Sequence, residues 1–79
     1  MKTILIIEDE NDLAELVSFN LEKEGYKPII AQDGKAGLDA AQSKSPDLIL
    51  LDLMLPGLPG TEICKILKSN GKTSRIPDF

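Results

Sequence analysis

The residues best placed to do chemistry are three carboxylates at the ends of apolar runs. Glu8 and Asp9 directly follow the run TILII (Thr3 to Ile7), and Asp52 closes the run LILL (Leu48 to Leu51). Carboxylates brought together repel one another, and a hard cation relieves that repulsion. Mg²⁺ suits the task because it takes a few carboxylate oxygens and keeps room for water and phosphate. An aspartate beside such an ion can attack phosphorus and form an aspartyl phosphate. Singly, each feature has a plainer reading. Acidic residues after a strand often start the next helix, as Glu10 and Asp12 do here, and an aspartate that ends a strand is commonly a turn residue. Together, with the stiff loop MLPGLPG directly after Asp52, they favour a site.

Such a site needs elements that bring residues 8–9 and 52 together. TILII and LILL are continuous and apolar, as strands buried on both faces of a parallel sheet are. Pro28 to Ala31 is a shorter strand, whose proline suits its start or a sheet edge. Leu13, Leu16, Val17 and Leu21 recur at helical spacing, with Glu15, Ser18, Glu22 and Lys23 on the other side and Gly25 as the stop. Ala36, Leu38, Ala40 and Ala41 give a weaker helix after the Asp33-Gly34 turn. It contains Gly37, which marks close packing or a tolerated weakness, and Ser45-Pro46 ends it. Thr61 to Ser69 gives a third helix, with Ile63, Ile66 and Leu67 inward, Thr61 or Gly60 as its cap and Gly71 near its end. The order β-α-β-α-β-α implies right-handed crossovers and a parallel sheet covered by helices. Ligand sites in such sheets lie outside the carboxyl ends of strands where the winding reverses. If the first strand lies between the second and third, Glu8, Asp9 and Asp52 meet at that point.

Composition narrows the function classes. The chain of 79 residues allows one small domain, and 42% apolar with 28% charged residues is an ordinary globular balance. A net charge of -4 argues against a nucleic-acid surface. The single cysteine, Cys64, cannot form an internal disulfide; it reads as a small buried or half-buried side chain in a reducing, cytoplasmic setting. No apolar stretch is long enough for a membrane span or a signal peptide.

The segments IIEDEND, QDGKAGL, PDLILLDLMLPGLPG and RIP, in this order and spacing, resemble a response-regulator receiver domain of two-component systems. The resemblance runs to Pro77, and LLDLMLPGLPG is its most specific part. It implies a flavodoxin-like parallel sheet of five strands, ordered 2-1-3-4-5. It implies that Asp52 is the phosphoacceptor, which attacks the phosphohistidine of a sensor histidine kinase. Asp9 is then a direct ligand of Mg²⁺ and Glu8 its partner, often through water. Asp52 also ligates the ion, Met54 supplies its backbone carbonyl, and Pro56 and Gly57 shape the loop.

The family pattern continues past the Ile-Pro step with a fourth strand ending in Thr or Ser and a fifth ending in Lys. The expectation for residues 1–79 is therefore a truncated receiver of three strands ordered 2-1-3, without strands four and five. Impaired phosphoryl transfer and an exposed apolar edge on the third strand are expected with it. Such an edge recruits another strand, so self-association with a second chain is expected. The alternative function is an assembly half-fold that self-associates without signalling. A third class, the aspartyl-nucleophile phosphohydrolases, places a second aspartate two residues after the nucleophile, where this chain has Met54. Asp47 reads as a turn residue, Tyr26 as packing at the helix exit, Phe19 as packing or a single exposed apolar residue, and Lys65, Lys68, Lys72 and Arg75 as a solvated basic helix face and tail.

Overall fold

The computed structural model describes residues 1–51, 60–71 and 73–77. The elements are β1 (Thr3–Ile7), α1 (Asn11–Lys23), β2 (Lys27–Ala31), α2 (Gly34–Lys44), β3 (Leu48–Leu51) and α3 (Gly60–Ser69). The three strands form one parallel sheet in the order β2-β1-β3. The central strand carries the continuous apolar run because both of its faces are covered. Leu5 and Ile7 sit on one face with Ile49, under α2 and α3, and form the main core with Ala31, Ala41, Ile63 and Leu67. Ile4 and Ile6 sit on the other face, beside α1, whose Ala14 is buried. The edge position of β2 accommodates Pro28, which pairs with Ile4 at the sheet margin.

Helix ends follow local chemistry. The Gly25 amide donates to Glu22 O at 3.1 Å and the Tyr26 amide to Leu21 O at 3.0 Å, with Gly25 at φ +89°, a Schellman stop that needs the left-handed backbone. Asp33 does more than turn the chain: its Oδ1 accepts from the Ala36 amide at 2.8 Å and caps α2. Gly37 marks close packing, since a Cβ there would lie 2.5 to 3.0 Å from side-chain carbons of Ile7. The helix α3 starts one residue earlier than expected, at Gly60. Beyond its end, the buried Thr73 hydroxyl donates to Leu67 O at 2.6 Å.

Two expectations about inward faces are corrected. Leu16 is 58% and Leu13 43% exposed, and Ile66 is 37% exposed. On α1 the small Ala14 is the buried residue, while Leu13 and Leu21 border open cavities beside the sheet and Leu16 faces outward. On α3 the pair Ile63 and Leu67, four residues apart, defines the inward line, so Ile66 lies to its side. The outer edge of β3 is met at one point by the chain's own C-terminal segment: the Ile49 amide donates to Pro77 O at 2.9 Å. Lys23 Nζ stands 5.6 Å from the ring centroid of the exposed Phe19. Lys65 pairs with Glu62 at 3.6 Å and Lys68 Nζ donates to Ile76 O at 3.4 Å, so the basic face is partly engaged within the chain. Among the described residues no helix is long and apolar enough to cross a membrane.

Candidate functional site

The site is built on the carboxyl ends of β1 and β3. Ile7 pairs with Ala31 on one side and with Leu51 on the other. Glu8 and Asp9 leave the sheet directly after Ile7, and the residue after Leu51 in the sequence is Asp52. Asp52 and Met54, both expected at the site, lie outside the described residues. The structure thus shows the platform and the first two carboxylates.

The acidic loop is short, because α1 begins at Asn11. The Glu8 amide continues the β1–β2 ladder by donating to Ala31 O at 3.0 Å. The Glu8 carboxylate turns back onto its own loop, where Oε2 accepts from the Glu10 amide at 3.2 Å. Asp9 is exposed and Glu8 half-buried. Glu10 occupies the N-cap position of α1 but makes no side-chain cap bond. The first turn of α1 carries Asp12, where a negative charge is favoured by the helix dipole.

Two neighbouring oxygen donors on a solvent-facing loop match the preferences of a hard cation, which binds oxygen and retains water. Among the described residues no group of three potential metal-ligating side chains gathers. Glu8 and Asp9 are the kind of oxygen donors that such a cation takes.

Asp47 lies at the opposite end of the sheet. Its Oδ2 accepts from the Thr3 amide at 2.8 Å and its own amide donates to Thr3 O at 2.7 Å. It therefore clamps the start of β3 to the start of β1 and takes no part in the site, in keeping with the turn reading. A cavity of about 380 Å³ lies near that end, between Ile4, Leu21, Tyr26, Leu48 and Leu50. A second, of about 280 Å³, lies beside Glu8 and is otherwise apolar, lined by Ile6, Leu13, Val17, Leu50 and Leu51 among others. Leu50 lines both, and Lys2 and Asp47 add polar groups to the first.

Sequence reasoning missed one polar contact beside the acidic loop: the Gln32 side-chain amide donates to Asn11 Oδ1. Its sequence signal is slight, a pair of amide side chains 21 residues apart.

Comparison with known proteins supplies the family context. A family model described as the response regulator receiver domain matches residues 4–77. The response regulator ArlR of Staphylococcus saprophyticus is 51% identical over 76 residues, which is 96% of this chain and 34% of that protein. The chain thus spans about a third of that relative's length. Among solved structures, the N-terminal domain of a response regulator receiver protein from Methanoculleus marisnigri JR1 matches with a TM-score of 0.95 at 35% identity, covering 99% of this chain and 63% of that one. The receiver domain of the sensor histidine kinase PA1611 from Pseudomonas aeruginosa PAO1 matches with a TM-score of 0.92 at 26% identity, covering 98% of this chain and 63% of that one. That structure is described with a magnesium ion coordinated in its active-site cleft.

Proposed function

The chain belongs to the response regulator receiver domain family, and on that premise we propose that it accepts a phosphoryl group on Asp52 from a sensor histidine kinase, with Mg²⁺ held by Glu8, Asp9, Asp52 and the Met54 carbonyl. The observation that carries this reading is the β1–β3 register. Ile7 pairs with Leu51, so the acidic pair and the residue preceding Asp52 share one end of the sheet.

Each residue of the chain has a part. An Asp52 carboxylate oxygen forms the new bond to phosphorus as the bond between phosphorus and the donor imidazole nitrogen breaks. Asp9 and Glu8 supply oxygen donors and keep the acidic loop facing the carboxyl end of β3. The buried Ile7 and Ile49 beneath the site keep that end of the sheet rigid. When bound, Mg²⁺ offsets the negative charge that would otherwise keep a phosphoryl donor away from Asp52.

The test is labelling by acetyl phosphate with Mg²⁺ present. Labelling is expected in the parent chain. It should disappear in Asp52→Asn and fall in Asp9→Asn. Labelling that persists in Asp52→Asn refutes the assignment. The alternative, an assembly half-fold without signalling, draws on the apolar side chains of β3, Leu48, Leu50 and Leu51, that line the two cavities. A stable dimer in sedimentation with no Mg²⁺-dependent labelling would favour it.

A further inference from the structure

The acidic segment is tied at two places, once to the last residue of β2 and once to the residue after it, and the two ties bracket Glu8, Asp9 and Glu10. One is the Glu8 amide to Ala31 O, at 3.0 Å. This is the next rung of the β1–β2 ladder and depends on no particular side chain. The other is the Gln32 side-chain amide to Asn11 Oδ1, which requires two specific side chains from distant parts of the chain.

The fold does not otherwise explain that pair. Both residues are exposed, so burial does not place them. Asn11 is not the cap of α1, because Glu10 holds that position, and the cap of α2 is Asp33 rather than Gln32. The tie spans the two loops at the end of the sheet where Glu8 and Asp9 emerge.

We propose that Asn11 and Gln32 are a positioning pair that holds the Glu8–Asp9 loop in the arrangement that receives a divalent cation. The inference rests on the metal reading given under Proposed function. The physical argument concerns the loop in the absence of the ion. Three successive carboxylates repel one another and favour a splayed loop, whereas cation binding needs Glu8 and Asp9 held together. A side-chain tie at the loop's exit opposes the splaying, so less ordering remains to be done on binding.

The experiment is a Mg²⁺ titration of the full 79-residue chain, followed by NMR amide shifts, alongside amide hydrogen exchange of the metal-free protein. The variants are Gln32→Ala, Asn11→Ala, both together, and the length-conserving exchange Asn11→Gln with Gln32→Asn. Each single variant should weaken Mg²⁺ binding roughly three- to tenfold, the range one net hydrogen bond supports. The double variant should lose no more than either single one, since both remove the same contact. The exchange variant should return to within about twofold of the parent, a recovery that general loss of structure would not give. Exchange at the hydrogen-bonded Glu8, Glu10 and Ala14 amides should quicken in the single variants while the melting temperature stays put. If the parent binds Mg²⁺ and Gln32→Ala binds it equally well, the positioning role is overturned and the metal reading stands. Losses that add in the double variant also overturn it. If the parent binds no better than Asp9→Asn, the metal reading itself fails. The exchange data then decide separately whether the tie holds the loop.

Discussion

Gly37→Ala puts the packing of α2 on β1 to a quantitative test, because its two main effects have opposite signs. In an exposed helix, alanine for glycine stabilises by about 1 kcal/mol. Here the added Cβ would lie 2.5 Å from Ile7 Cδ1, 2.8 Å from Cγ1 and 3.0 Å from Cγ2, well inside the ~3.5–4.0 Å of a comfortable carbon contact. The Cδ1 contact alone could be relieved by swinging the end of the side chain. The other two cannot, because rotating χ1 exchanges one γ-carbon for another and isoleucine is stiff at that bond. Backbone retreat is also costly, since Ile7 is fully buried in the central strand and paired on both sides. Overpacking of this kind costs about 1–3 kcal/mol, so a net destabilisation of up to about 2 kcal/mol is expected after the helix gain is subtracted. Urea unfolding followed by circular dichroism, at unchanged slope, measures it. Ile7→Ala removes all three offending carbons and should cost about 2–5 kcal/mol by itself. Combined with Gly37→Ala, the loss should be smaller than the sum by about 1–3 kcal/mol, the whole overpacking cost, because the clash has gone. A Gly37→Ala protein about 1 kcal/mol more stable than the parent, or strict additivity in the double variant, would refute the packing argument.

Two further outcomes concern stability alone. Thr73→Val keeps the shape of a fully buried side chain but leaves Leu67 O without its 2.6 Å donor. A loss of about 1–3 kcal/mol is expected, with Thr73→Ser losing only about the 0.8 kcal/mol of one methyl group; denaturant midpoints separate the two. Gly25→Ala places a Cβ at φ +89° with nothing crowding it, so the loss should reflect backbone strain alone, about 1–2 kcal/mol, and appear as a lower melting temperature.

Much of this protein was decided by the order of its residues. TILII and LILL are apolar on both alternating sets of positions, which only a strand covered on both faces can use, and the helical repeats between the strands leave a parallel sheet as the consistent arrangement. Gly25 and Pro28 wrote the exit of α1 and the edge place of β2 directly into the chain, because each is tied to a backbone geometry. The motifs around Glu8, Asp9 and Asp52 carried the family resemblance that the comparisons bear out. Tertiary structure decided what depends on which side chain reaches which neighbour. Ala14 is the buried residue of α1, while Leu13 and Leu21 border cavities beside the sheet, a difference that helical spacing alone does not reveal. Asp33 caps a helix and Asp47 clamps two strands, although as isolated letters both are turn residues. Gly37 was ambiguous as one weak position in a helix, and the nearness of Ile7 made it a packing requirement. The tie between Asn11 and Gln32 was the least legible feature, since a hydrogen bond between exposed amides leaves no periodicity and no composition signal. It exists because β1 and β2 lie side by side and bring the loops at their carboxyl ends within reach of each other.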